Sequence, residues 1–236
     1  MNSIIKEINL ERITYQLLID GYSLINPTFT KKNLQVLPDL KNSFKKLRES
    51  STEKFENDYK GGFYKIIQNK NINDSENIIF SAYNSFCLNI INSLGMRNFE
   101  FNSMYQTIDT KKSKHIAQQP HFDRIPALKF MLYLNDLNSE NGAFQLSKGS
   151  HHWINQNFSK SRPKYGSNGY LELTRNIPNY IIKNLKPVCG KAGSIIVFYT
   201  DVIHNQGLVK DGNCQILRSH YWKKSTLYDK FRSKFS

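Results

Sequence analysis

Residues 120–126 read PHFDRIP and set His121 and Asp123 two positions apart, just before a proline. In an extended segment alternate side chains point to the same side, so an imidazole and a carboxylate project together. Such a pair chelates a metal, or steadies a histidine by charge, or arises by chance. The rest of the chain has to decide between these.

The run AGSIIVFYTDVIH reads as one strong strand that ends at His204, followed by a glycine-containing turn. Two imidazoles and one carboxylate make the facial donor set used by non-haem iron(II) oxygenases, with positions left open for a chelating co-substrate and dioxygen. Arg218 lies fourteen residues beyond His204, in the predicted strand CQILRSHYW. A guanidinium matches a carboxylate with two hydrogen bonds and keeps its charge, which is what the far end of a chelating keto acid needs. An arginine alternating with apolar residues in a strand costs free energy unless it meets an anion.

The elements that must position these residues change character along the chain. The first third reads as helical. NLERITYQLLIDGY has Ile13, Leu17 and Leu18 at helical spacing with Gly21 as terminator, and GYSLI follows as a short strand. KKNLQVLPDLKNSFKKLRES is a second helical region, and SENIIFSAYNSFCLNIINSLG an apolar helix ending at Gly95. After that the period becomes two, with FEFNSMYQTI, ALKFMLYLND, GAFQLS, GSIIVFYTDVIH and CQILRSHYW as short strands. Asn141-Gly142 is a hairpin turn signal. Residues 56–77, with Gly61-Gly62, read as a polar surface loop, and 152–187 as a long insertion between strands. Both are candidates for a lid. The expectation is an α+β chain with a mainly β core. It is a jelly roll with helices on one face, in a single domain over 1–236, helical over about 1–97 and jelly roll over about 98–224.

Composition narrows the function classes. The chain has 236 residues, 39 % hydrophobic and 13 % aromatic, enough for a sizeable core. No stretch approaches the roughly 20 apolar residues of a membrane span. The N-terminus mixes Glu7, Glu11 and Arg12 into its apolar residues, unlike a secretory signal, so the protein is expected to be cytoplasmic. Cys87, Cys189 and Cys214 form neither a disulfide framework nor a zinc spacing. The formal charge of +14 comes without an arginine-rich helix, zinc finger or aromatic RNA-binding signature. Nucleic acid and membrane are therefore not expected partners. The charge favours an anionic small molecule through steering, and nothing speaks to oligomeric state.

Taken together, LLIDGYSLI, the HFD pair, LKFMLYLNDLNSENGAFQLSKGSHH, GKAGSIIVFYTDVIHNQG and LRSHYW are collinear over most of residues 15–222. In this order they resemble the phytanoyl-CoA dioxygenase family of iron(II)- and 2-oxoglutarate-dependent oxygenases. The resemblance implies a double-stranded β-helix (cupin-like), with iron(II) held by His121, Asp123 and His204 and the far carboxylate of 2-oxoglutarate on Arg218. Halogenating relatives put a small residue where Asp123 stands, so hydroxylation is expected, with release of succinate and carbon dioxide. Gln106 and Lys129, on strands expected to line the barrel, are further candidates for binding the co-substrate, and Lys129 alternatively for a substrate anion. Gln206 is a candidate support for the metal site. His151 is expected to be structural, His220 to be packed and hydrogen-bonded, and Tyr105 and Tyr133 to belong to the core. The alternative is a cupin-like metal-binding protein or a non-oxidative metalloenzyme on the same barrel.

Overall fold

The computed structural model describes residues 9–26, 63–68, 78–123, 125–158 and 177–223, with backbone alone for 63–68, 78–80 and 82. Helix α1 covers Leu10–Ile19; the Asn9 side chain accepts from the Arg12 amide, and Ile13 and Leu17 form its buried stripe. Strand β1 (Tyr22–Ile25) follows directly. Strand β2 is Phe63–Gln68, helix α2 Ile78–Ser93, and strand β3 Phe99–Thr110. A short 3₁₀ turn at Ile116–Gln118 precedes strand β4 (Ala127–Tyr133). Strand β5 (Gln145–Ser147), helices α3 (Ser150–Phe158) and α4 (Asn179–Lys183) and strand β6 (Leu185–Pro187) come next. Strands β7 (Ile195–Tyr199), β8 (His204–Asn205) and β9 (Asn213–Lys223) complete the described elements.

These strands form two antiparallel sheets, one of six strands in the order β1-β7-β4-β9-β3-β2 and one of three in the order β6-β5-β8. The larger sheet has two buried faces. On one, Leu128, Phe130, Leu132, Val197, Leu217 and Tyr221 pack against α1 and α2 through Ile13, Leu17, Phe86 and Ile90. On the other, Met131, Tyr133, Ile196, Phe198 and Ile216 meet Phe144, Leu146 and Val202. Every residue of β4 is buried because both faces are covered. The expected helices on one face of a mainly β core are present, and β1 is the short strand expected of GYSLI.

Gly21 joins α1 to the sheet with φ +79°, a conformation that glycine adopts without steric cost. A Cβ there would lie 2.3 Å from Val202 Cγ2 and 2.6 Å from His151 Nδ1. His151 Nε2 hydrogen-bonds the Leu18 carbonyl at 3.1 Å, so this histidine ties α3 to the end of α1 and is structural, as expected.

Four expectations need correction. The apolar run toward His204 is not one strand: β7 ends at Tyr199, the chain turns, and His204 lies on β8 in the smaller sheet. Asn141-Gly142 does not close a hairpin, because β4 and β5 lie in different sheets. Within the expected loop 56–77, residues 63–68 are a strand paired with β3. The insertion 152–187 carries most of α3, all of α4 and β6, while 159–176 lie outside the described residues, as do residues 31–50 and the remainder of 56–77.

Candidate metal centre

His121 and His204 face each other as an isolated antiparallel pair. Each amide donates to the other's carbonyl, at 2.9 and 2.8 Å, which draws together residues far apart in sequence. The two rings lie 4.4 Å apart between centroids. Asp123 is fixed by its own amide on the Thr200 carbonyl at 3.0 Å. Thr200 also accepts from the Ala127 amide at 2.8 Å and donates to the Ile125 carbonyl at 3.1 Å, so the turn after β7 secures the segment that carries the ligands.

Both imidazoles are anchored in the same way. Nδ1 of His121 bonds the Gln119 carbonyl at 2.7 Å, and Nδ1 of His204 bonds the Val202 carbonyl at 2.6 Å. A carbonyl only accepts, so each Nδ1 carries the proton and each Nε2 presents a lone pair. Asp123 Oδ1 lies 3.9 Å from His121 Nε2 and 3.5 Å from His204 Nε2. The three ligand atoms lie within 4.8 Å of one another. An ion with bonds of about 2.0–2.2 Å can bridge the 3.5 and 3.9 Å from Asp123 to the two imidazoles. Phe144 and Phe198 flank the His204 ring at 5.4 and 5.2 Å between centroids and keep that side dry.

The electrostatics suit a cation. Burial above all, then the neighbouring His204, pushes the His121 imidazole down to about 3, so it is neutral and ready to ligate at pH 7. Burial alone would raise the Asp123 carboxyl. The Lys129 ammonium and the two histidines outweigh it and hold this acid well below its ordinary range. The site therefore offers two imidazole nitrogens and one carboxylate oxygen, a donor set that fits a first-row divalent metal and leaves part of its coordination sphere open.

Arg218 reaches the same face of the larger sheet from β9, between Tyr105 of β3 and Met131 of β4 in register. It is 5 % exposed. Its Nε donates to Thr107 Oγ1 at 3.2 Å and its Nη2 to Gln206 Oε1. Gln206 is held in turn, its Nε2 donating to the Gly142 carbonyl at 2.8 Å. Gly142 has φ +87°, and a Cβ there would sit 2.7 Å from Val209 Cγ2, so only glycine lets its backbone come this close. His220, one row along the sheet, bonds the Tyr105 hydroxyl at 3.0 Å. Burial, then Lys129, lowers its imidazole well below the ordinary value, and Asp123, Arg218 and His204 also act on it.

The expected site residues thus divide. His121, Asp123 and His204 converge, and Arg218 lines the same interior. Lys129 joins them, with its Nζ 2.6 Å from Asp123 Oδ2. Gln106 does not. It pairs with Leu217, whose side chain packs toward the helices, so Gln106 occupies the face opposite Arg218. Sequence reasoning missed Thr107 and Thr200. The polar alternation of Ser103, Tyr105, Thr107 and Asp109 along β3 could have found the first.

The sequence model of the phytanoyl-CoA dioxygenase (PhyH) family matches residues 20–207. No curated protein matches the chain in sequence. Solved structures with a similar fold include the non-haem α-ketoglutarate-dependent carbocyclase SnoK from nogalamycin biosynthesis, at 12 % identity over 96 % of this chain and 91 % of that one, TM-score 0.69. The epimerase SnoN, in complex with Fe3+, α-ketoglutarate and a nogalamycin, is 15 % identical over 91 % of this chain and 83 % of that one, TM-score 0.66. HygX from Streptomyces hygroscopicus, with nickel and 2-oxoglutarate bound, is 13 % identical over 93 % of each chain, TM-score 0.55. At these identities the likeness speaks for the fold, and the match over residues 20–207 speaks for descent: this chain belongs to the phytanoyl-CoA dioxygenase family.

Proposed function

We propose that the protein is an iron(II)- and 2-oxoglutarate-dependent oxygenase that hydroxylates an unactivated C–H bond of a small, anionic molecule. The observation that carries this reading is the meeting of His121, Asp123 and His204 with their metal-facing atoms turned inward, beside a buried Arg218. The two sheets are read as a double-stranded β-helix, and the chain as a single domain. When bound, the metal would supply dioxygen activation coupled to oxidative decarboxylation of 2-oxoglutarate to succinate and carbon dioxide.

The chain's own residues do the rest. His121 and His204 present Nε2 because the Gln119 and Val202 carbonyls hold their Nδ1 protons. Arg218, steadied by Thr107 and Gln206, offers its guanidinium to the far carboxylate of 2-oxoglutarate and sets the direction from which the keto acid approaches. Phe144 and Phe198 exclude water from His204. A non-oxidative metalloenzyme on the same barrel would not need Arg218 to hold a keto acid. His121→Ala is expected to abolish 2-oxoglutarate-dependent succinate release, measured by coupled assay or NMR. Undiminished succinate from that variant would reject the ligand assignment.

A further inference from the structure

Lys129 sits in the middle of β4, where every neighbour is buried, and is itself 7 % exposed. A lysine in such a place needs a fixed partner. Its neighbours in register are His220 of β9 and Phe198 of β7, so it points into the interior that holds the candidate metal ligands. Its ammonium lies 2.6 Å from Asp123 Oδ2, while Oδ1 of the same carboxylate faces His121 and His204 at 3.9 and 3.5 Å. The two oxygens of one acid thus have separate partners.

We infer that Lys129 is a positioning residue that holds Asp123 Oδ2 and leaves Oδ1 as the only carboxylate oxygen a metal can use. The inference rests on the reading of His121, Asp123 and His204 as a metal site. A carboxylate beside a divalent cation can bind through one oxygen or both. Chelation through both would take a position that a co-substrate or dioxygen needs. Lys129 prevents it by occupying Oδ2 with a charged hydrogen bond, and its own charge weakens the attraction for the metal. The site then trades affinity for an open face. This assignment differs from the expected role of Lys129 as a ligand of 2-oxoglutarate.

The test uses the whole chain, loaded anaerobically with Mn2+ for calorimetry and with Co2+ for its visible spectrum. Lys129→Met removes the cation while keeping the length. It is expected to bind Mn2+ about tenfold more tightly, because one positive charge next to the ion is gone. Its Co2+ bands are expected to weaken as the carboxylate gains a second contact, and Lys129→Arg to restore the wild-type affinity and bands. Lys129→Met binding Mn2+ no more tightly than wild type, with an unaltered Co2+ spectrum, overturns the inference. A second measurement needs no variant: in the wild-type protein loaded with Zn2+, the Lys129 ammonium is expected to give a slowly exchanging 15N-lysine NMR signal. Disappearance of that signal on adding Zn2+ shows that the pair breaks when metal binds and also overturns it. Failure of the wild-type chain to bind any of these ions would instead remove the metal reading itself.

Discussion

Arg218→Met separates the function of this arginine from its place in the fold. The guanidinium is 5 % exposed and donates to Thr107 and Gln206. Its removal forfeits the charge-assisted hydrogen bonds to Thr107 and Gln206, each worth about 1.5–3 kcal/mol. It also removes a buried charge whose desolvation costs several kcal/mol. These contributions oppose one another, and methionine fills much of the same volume, so the net change in stability is expected to stay within about 2 kcal/mol. Binding of 2-oxoglutarate has no such compensation. Losing one partner of a buried, hydrogen-bonded charge pair costs about 2–5 kcal/mol, or about 30- to 5,000-fold in affinity. The assay is anaerobic calorimetric titration of 2-oxoglutarate into Mn2+-loaded protein, with Mn2+ affinity and the thermal midpoint as controls. A variant that keeps its affinity for 2-oxoglutarate while losing several kcal/mol of stability would refute the reasoning and make Arg218 a structural residue.

Two further outcomes follow from other parts of the molecule. Gly21→Ala puts a methyl group 2.3 Å from Val202 Cγ2 at a residue with φ +79°. Strain and overpacking together should cost about 2–4 kcal/mol, seen as a drop in Tm by circular dichroism; an unchanged Tm would contradict the placement of α1. His220 is held neutral by burial, then by Lys129, so the unfolded chain takes up a proton there that the folded chain refuses. Stability from this group is complete above the unfolded value of about 6.5 and is lost as pH falls below it. His220→Gln, which can still bond the Tyr105 hydroxyl, should flatten urea-derived stability between about pH 6.5 and 5; an identical slope in the variant would show that this histidine titrates alike in both states.

The general plan of the molecule is legible in the sequence because binary pattern and tertiary need agree there. Ile13 and Leu17 fall on one face of α1, and ALKFMLYL is apolar but for Lys129 because β4 is covered on both sides. The candidate metal ligands stand out in the sequence because a histidine and an aspartate two apart in an extended segment project to the same side. The failures have physical causes. Gln106 was expected on the interior face, but the interior side of β3 is the polar one, with Tyr105, Thr107 and Asp109, since it lines the site. Met104 and Ile108, the apolar alternates, share the side of Gln106, and Met104 packs in the core with the helices. The run into His204 becomes apolar again after Thr200 and Asp201 because Val202 and Ile203 are buried in two different clusters, so two polar residues alone do not mark where the strand stops. Strand β2 was hidden by its polar and glycine-rich surroundings, and its pairing with β3 is a long-range fact.

The proposed activity requires one divalent ion held between two chain segments that are distant in sequence. Its most direct test is a visible absorption spectrum of the wild-type protein mixed under nitrogen with iron(II) and 2-oxoglutarate, beside the same mixture with His204→Ala. A weak charge-transfer band in the wild type, absent from the variant, is the predicted result. A wild-type protein without the band, or a variant that keeps it undiminished, would contradict the proposal.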